Sequence, residues 1–440
     1  MIKRRVLFII LITVFLFNSL AFAQNTDFGR TELKNGIVLI TKNVPSSEIV
    51  SFSIILKLSV YDEEAYTPGI RSFIAELIKY ALLDVRTPEN TRLFELLGVS
   101  LKTSAEPDFI SVDVTCKAED FGKISDIVSK VVINPGLDSK KYDECRKKFV
   151  ELRRQSNGVI DSVYSLFISE FYKYHPYKLI NQYSLLTIEK MDQDKIKRFI
   201  GTTFSADRII MAVSGNFSTQ KLLAILNKNW GDVEKRNTTV TSLQWEPKAS
   251  EKQLFLSALS NMGWLVIGYR FPSYSSPDYP AMMVAKNIVA EGFCSRFWIE
   301  LREKRGFAYE LGAVAPALEG PAHVMFFVVL QPKNAMEARK IALDIIADIK
   351  ANGVSESELS VGKEKLLGSF LLGREYSEDF THETASAQAI GGDYSIDALL
   401  KQKINAVTAD DVKNVCNKYF VDPTVIIVRP PGIYFKDTYI

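Results

Sequence analysis

The chain contains the same stretch twice, and this repeat constrains its fold more than any other feature. Ile188, Met191, Asp192, Asp194, Ile196, Lys197, Phe204 and Ile209-Ile210 return, at a constant offset of 216 residues, as Ile404, Val407, Thr408, Asp410, Val412, Lys413, Phe420 and Val425-Ile426. Asp192 and Thr408 each stand as an N-cap before a short amphipathic helix, and each copy then enters a β-branched run that reads as a strand. The two halves also begin alike, with paired strand-like runs followed by a helix start at Thr67-Pro68 in the first and Ser276-Pro277 in the second. Tandem duplication of one domain is the economical explanation. It agrees with length, since 440 residues exceed the roughly 250–300 that one hydrophobic core serves.

The polar stretch Gly231 to Lys252 lacks a sustained apolar period and reads as the linker between the halves. The expected organisation is therefore a leader at residues 1–23, a first domain at 24–230, a linker at 231–252 and a second domain at 253–440. Within each half, alternation such as Ile110, Val112, Val114 and Cys116 against Ser111, Asp113 and Thr115 predicts half-buried antiparallel strands, with helices covering one face. The fold class is α+β.

The leader has three parts: Lys3-Arg4-Arg5, an apolar run from Val6 to Phe17, and Ala21-Phe22-Ala23 before Gln24. This is the pattern of a cleaved secretory signal, and its apolar run is shorter than the ~20 residues of a spanning helix. Export to a periplasmic or extracellular compartment is expected, with no membrane attachment after cleavage. Without the three leader cations, 51 Lys and Arg face 52 Asp and Glu, which gives no support to nucleic-acid binding. Cys116, Cys145, Cys294 and Cys416 are scattered, fitting neither a zinc ribbon nor a disulfide framework. They read as buried thiols, with room for one bridge.

The helix predicted after Thr67-Pro68 places Ile70, Phe73, Ile74, Leu77 and Ala81 on one apolar stripe, with Ser72, Ala75 and Glu76 off its centre. Together with Asn35-Gly36 and Phe94-Glu95-Leu96-Leu97-Gly98, this segment resembles the pitrilysin, insulinase and mitochondrial-processing-peptidase family. The helix here in that family carries an inverted zinc motif, His-x-x-Glu-His. By that resemblance Ser72 replaces the first histidine, Ala75 the general-base glutamate and Glu76 the second histidine. Zinc hydrolysis needs two imidazoles a turn apart and a carboxylate to take the proton of bound water. Serine, alanine and one glutamate do not supply these.

The third ligand of the family is a glutamate in a Glu-x₆-Glu pair, matched by Glu144 and Glu151. On a helix that also carries Arg146, Lys147, Lys148, Arg153 and Arg154, both glutamates read as ordinary ion-pair partners of a solvated face rather than metal ligands. The chain has three histidines, His175, His323 and His382, no two within a turn. His175 lies in a His-Pro-Tyr segment that resembles a structural one of the family. A serine nucleophile served by one of these histidines lacks a Gly-x-Ser-x-Gly elbow.

In the second half, Ser295-Arg296-Phe297 through Leu301-Arg302-Glu303-Lys304 to Gly306-Phe307-Ala308-Tyr309 reads as a helix capped by Ser295, stopped at Gly306 and followed by a strand. This run resembles the family's second-half signature closely. In two-chain members its arginine and tyrosine hold the substrate beside the other subunit's zinc, which implies a substrate-binding role for Arg302 and Tyr309. Guanidinium and phenol donors suit peptide carbonyls. The resemblance thus implies a non-catalytic subunit with no cofactor of its own. Its heterodimeric partner would be a homologue carrying the zinc motif, and its substrates peptides. A scaffold role like that of respiratory-complex core subunits is the alternative, and an active peptidase with an unconventional site is opposed by the missing histidines.

Overall fold

A computed structural model describes residues 28–430 except 64–66, 84–87, 137, 156–157, 181–184, 238–244, 246–247 and 256–260. The leader read at residues 1–23 lies outside the described residues. The first sheet is built from β1 (Phe28–Glu32), β2 (Val38–Asn43), β3 (Ile49–Leu56), β4 (Ser100–Ala105), β5 (Ile110–Lys117) and β6 (Ile209–Gly215). The second comprises β7 (Ser250–Phe255), β8 (Gly263–Phe271), β9 (Ala308–Val314), β10 (Ala322–Leu330) and β11 (Thr424–Arg429).

The duplication is explicit in the strand order, β1-β2-β6-β3-β5-β4 in one sheet and β7-β11-β8-β10-β9 in the other. In both, the last strand of the half inserts beside the first common strand in parallel and beside the next antiparallel. Strand β1 is the one addition. Strand β7 begins at Ser250, so the last three residues of the segment read as linker are already paired with β11.

The principal helices are α1 (Ile70–Leu83), α2 (Phe121–Ile133), α3 (Ser139–Gln155), α4 (Val159–Phe171), α5 (Gln193–Thr203), α6 (Tyr279–Ala290), α7 (Ala335–Asn352), α8 (Ser377–Gly391) and α9 (Ala409–Tyr419). Both repeated N-caps form: Asp192 accepts from Lys195 N at 2.7 Å to open α5, and Thr408 accepts from Asp411 N at 3.1 Å to open α9. The apolar stripe of α1 is buried as its spacing predicts, joining Phe52, Ile54, Val112 and Val114 in the core of the first half.

The other face of the first sheet departs from expectation. Ser51, Ser53 and Ser111 are fully buried, because α8 from the second half lies across β3, β5 and β6. Small residues allow this close approach: Ser53 is in register with Asp113 and Ala212, and α8 answers with Ala385 and Ala389. The polar atoms satisfy one another, as buried groups must. Ser53 Oγ donates to Asp113 at 2.6 Å, Ser111 Oγ donates to it at 2.8 Å, and Ser51 pairs with Thr115 at 2.9 Å. The strand is buried on both faces rather than one.

The exchange is reciprocal, for α4 of the first half packs on β8 and β11 of the second sheet. Here the fit is made by Gly268, where an added Cβ would stand 2.1 Å from the ring of Phe167. That ring is fully buried and has no free direction in which to move. Gly268→Ala should destabilise the fold by about 1–3 kcal/mol through overpacking, read as a lower urea midpoint, and Phe167→Leu in the same chain should restore part of it.

Helix α8 is also held by His382, whose Nδ1 lies 3.1 Å from each Asp113 oxygen. Burial alone lowers the basicity of His382, but the hydrogen bond to Asp113 and the charges of Asp113, Glu383 and Glu106 outweigh it, leaving the pKa above its ordinary value. Stability from a histidine raised on folding is complete below its unfolded pKa and fades as pH rises through the folded one. The urea midpoint should therefore fall as pH rises from about 6.5, the ordinary histidine value, through the raised folded pKa, and His382→Gln should flatten that dependence.

Candidate functional site

Helix α1 starts at Ile70, after Gly69 at φ +89°, and its first turn is closed by a residue outside the helix. The Glu63 carboxylate accepts Gly69 N at 3.0 Å and Arg71 N at 3.3 Å, the arrangement that suits an anion at a helix N-terminus. It also pairs with Arg71 Nε at 3.0 Å, the two side chains being 2% and 5% exposed. Arg71 donates further to Leu58 O at 3.0 Å and to Glu106 O. The expected start at Thr67-Pro68 contributes only the Thr67 carbonyl, 3.1 Å from Ile70 N.

Ser72 follows this pair and opens on a cleft of about 350 Å³ that also takes in Glu106, Asp161, Tyr164 and, from the second half, Pro316. Ala75 is buried at 4% exposure, and Glu76 is half-buried one turn from Ser72. On α3, Glu144 stands 3.5 Å from the Tyr80 hydroxyl, while Glu151 is exposed. Among the described residues, no three His, Cys, Asp or Glu groups stand together where they could hold a metal ion.

The histidines are engaged elsewhere. His175 accepts Tyr177 N on Nδ1 at 3.1 Å, so Nε2 carries the proton toward the Tyr61 hydroxyl at 3.1 Å. Tyr172 donates to Pro321 O at 2.7 Å, so His323 donates from Nδ1 to that hydroxyl at 2.9 Å and accepts from Tyr164 on Nε2 at 3.1 Å. Burial pushes His175 down to about 4 and His323 to about 3, as fully bonded neutral imidazoles require. These two rings flank Tyr172. In the third case Asp113 lies between Ser53 and His382, an order that gives the serine no base.

None of the four cysteines is in a disulfide. Burial pushes the Cys116 and Cys416 thiols up to about 12, and Cys145 is also buried. Cys294 is exposed, contrary to the buried reading.

The second-half motif is built by a tight helix end. Ser295 Oγ accepts Trp298 N at 3.3 Å, and in the helical segment Trp298–Glu303 the Lys304 N–H reaches Ile299 O, five residues back, at 3.0 Å. The segment closes on Gly306, at φ +64°, with Gly306 N to Arg302 O at 3.0 Å and Phe307 N to Leu301 O at 2.8 Å. This double bond around a left-handed glycine ends helices commonly. It turns the chain so that Arg302 lies over the first residues of β9, donating to Ala308 O at 2.7 Å and to Tyr309 O, with its guanidinium 5.1 Å from the Trp298 ring centre.

Tyr309 is 71% exposed, and both residues line an open groove of about 690 Å³. This groove shares no residue with the Ser72 cleft. Tyr309 stands at the start of β9 and Val314, which lines the cleft, at its end, about 17 Å apart at strand rise. The structure thus brings Arg302 and Tyr309 together and holds them away from Ser72, Ala75 and Glu76.

Two residues that organise this region escape sequence reasoning. Glu63 is one. The other is Asp108, which accepts from the Tyr177 hydroxyl at 2.6 Å and from Glu319 N at 2.9 Å and thereby ties the β9–β10 loop to the first half. Burial raises its pKa to about 6. No motif marks either carboxylate.

With this geometry in view, known proteins are informative. Residues 190–366 match the family described as Peptidase M16 inactive domain. An uncharacterized zinc protease of Mycobacterium leprae is 19% identical over 405 residues, 90% of each chain. The zinc protease PqqE of Helicobacter pylori is 20% identical over 408 residues, 90% of this chain and 92% of its own. Among solved structures, a protease from Helicobacter pylori superposes with a TM-score of 0.81 at 18% identity, covering 92% of this chain and 99% of its own. A peptidase M16 inactive domain from Pseudomonas fluorescens does so with 0.82 at 18%, covering 92% and 98%. The two-sheet fold is therefore that of M16-like peptidases.

The buried pair at the head of α1 is the sharpest test of this local structure. Arg71→Met leaves the Glu63 carboxylate buried without its cation and should cost about 3–5 kcal/mol in urea unfolding. Adding Glu63→Leu should recover only part, because Gly69 N and Arg71 N then lose their acceptor.

Proposed function

We propose that this chain, a member of the M16 peptidase family, is the non-catalytic, substrate-holding subunit of an exported zinc metallopeptidase whose metal is carried by a separate homologous chain. The observation that carries this reading is the separation of the two motifs. Ser72, Ala75 and Glu76 cannot furnish imidazole ligands or a base, and Arg302 and Tyr309 face a groove that their own α1 does not reach. A peptide held in that groove meets its metal on another molecule.

In this reading the partner supplies zinc, the Lewis acid and the activated water, and the present chain supplies position. Arg302 is fixed by its bonds to Ala308 O and Tyr309 O and by Trp298. Its other N–H groups and the Tyr309 hydroxyl have no partner among the described residues, so both can donate to a peptide carbonyl. Donors fixed in advance toward a carbonyl lower the barrier to attack without reorganising. The partner forms the other wall of a peptide-sized chamber, and the leader at residues 1–23 sends the chain out of the cytoplasm. A purely structural scaffold would not need these exposed donors.

Purified leader-less chain should not cleave an unfolded peptide alone. Mixed with a homologue bearing His-x-x-Glu-His, it should raise cleavage in a chelator-sensitive manner. Arg302→Ala or Tyr309→Phe should reduce that gain about 10- to 1,000-fold, the span for removal of one transition-state donor. Chelator-sensitive cleavage by this chain alone overturns the reading, and a mixture indifferent to both substitutions favours the scaffold.

A further inference from the structure

The groove that holds Arg302 and Tyr309 has a charge that their shared role does not explain. Two more cations line it, Arg305 and Lys333, and among the described residues no carboxylate does. Neighbouring acids are committed elsewhere. Glu300 accepts from Lys304 at 2.6 Å and from Arg305 at 2.6 Å, and these two contacts hold its pKa below the ordinary carboxylate range, Lys304 first. Glu303 accepts from the Trp298 indole at 3.2 Å. Glu310 follows Tyr309 on β9, so alternation turns it to the other side of the strand.

Glu300 therefore fixes Arg305 without neutralising the site, since one carboxylate is shared by two cations. Lys333, on the turn Pro332–Asn334 after β10, makes no ion pair among the described residues. Arg305 donates to Glu300 through Nη1 alone, which leaves guanidinium donors for a second acceptor. Gln331 and Asn334 add neutral polar groups beside Lys333.

We propose that this groove recognises a carboxylate of the bound peptide through Arg305 and Lys333, so that the substrates this subunit holds are anionic peptide segments. The inference rests on the substrate-holding reading of Arg302 and Tyr309, and adds to it the class of peptide. An Asp or Glu side chain and the peptide's own C-terminus present the same group. Arginine and lysine are its natural partners, one as a planar fork and the other as a point charge.

The test is fluorescence anisotropy with the leader-less full chain and four labelled peptides of one unstructured sequence. The peptides contain one central Glu or Gln, each with a free or an amidated C-terminus. Loss of the recognised carboxylate should weaken binding about three- to tenfold, the span of a partly exposed charged contact, and added salt should erase the difference. Sensitivity to Glu→Gln assigns the side chain, and sensitivity to amidation assigns the C-terminus. Lys333→Gln and Arg305→Gln should each reduce the discrimination. Lys333→Glu should reverse it in favour of a fifth peptide of the same sequence with a central Lys, a gain that a misfolded chain cannot show. Saturable binding that ignores peptide charge yet is lost in Tyr309→Phe overturns this inference and leaves the substrate-holding role standing. Absence of saturable binding by every peptide overturns both.

Discussion

Each sheet of this molecule is completed by a helix from the other half, and the remainder of the structure depends on that crossed cover. A sheet buried on one face by its own helices still presents a second face of unsheltered strand. Here α8 closes the first sheet, seated on Ser51, Ser53 and Ser111, and α4 closes the second, with Phe167 seated on Gly268. The two interfaces solve the same problem by opposite chemistry. One uses small polar residues whose hydroxyls and carboxylate bond among themselves, and the other uses an aromatic ring pressed against bare backbone. Neither half could keep its sheet dry without its neighbour.

This cover also fixes the site. Because α4 belongs to the first half and lies on the second sheet, Tyr164 and Tyr172 reach His323 on β10, and Asp108 secures the loop before it through Glu319 N. The orientation of β9 follows from these contacts. One end of that strand enters the Ser72 cleft and the other carries Tyr309, so the distance between the two motifs is a property of the fold rather than of side-chain choice. A buried polar network of this kind specifies one arrangement because its donors and acceptors must satisfy one another away from water.

Sequence reasoning succeeds where the information is local. Asp192 and Thr408 act on amides three residues away, Ser295 and Gly306 frame a single helical segment, and the β-branched runs alternate with a period of two. The repeat then multiplies these signals, and the two sheets share a strand order accordingly. It fails where the partner is distant in the chain. The hydrophilic alternation of Ser111, Asp113 and Thr115 has the form of a solvated face, and only the arrival of α8 some 270 residues later, with His382 on Asp113, makes it interior. Asp108 is invisible for the same reason, its partners Tyr177 and Glu319 N arriving from far along the chain; Glu63 meets amides only six and eight residues on, but it is a single carboxylate without a spacing rule to mark it. Cys294 reads as a buried thiol from residue type, and its place in the exposed turn before Ser295 decides otherwise.

The two motifs also differ in how firmly the surrounding structure holds them. Around α1 the protein is closely packed: Ala75 lies in the core, and the turn before Ser72 is occupied by a buried Arg71–Glu63 pair whose guanidinium also donates to Leu58 O and Glu106 O. A glutamate at position 75 would have to find both space and a partner in this packing. Around β9 the reverse holds. Gly306 keeps its left-handed turn, Arg302 keeps its grip on two backbone carbonyls, and the Tyr309 side chain stands in solvent. An exposed aromatic held by such framing contributes little to folding, because its ring and hydroxyl remain in water in the folded state. What the framing stabilises is an outward position, and it is this position that the proposed substrate-holding role uses.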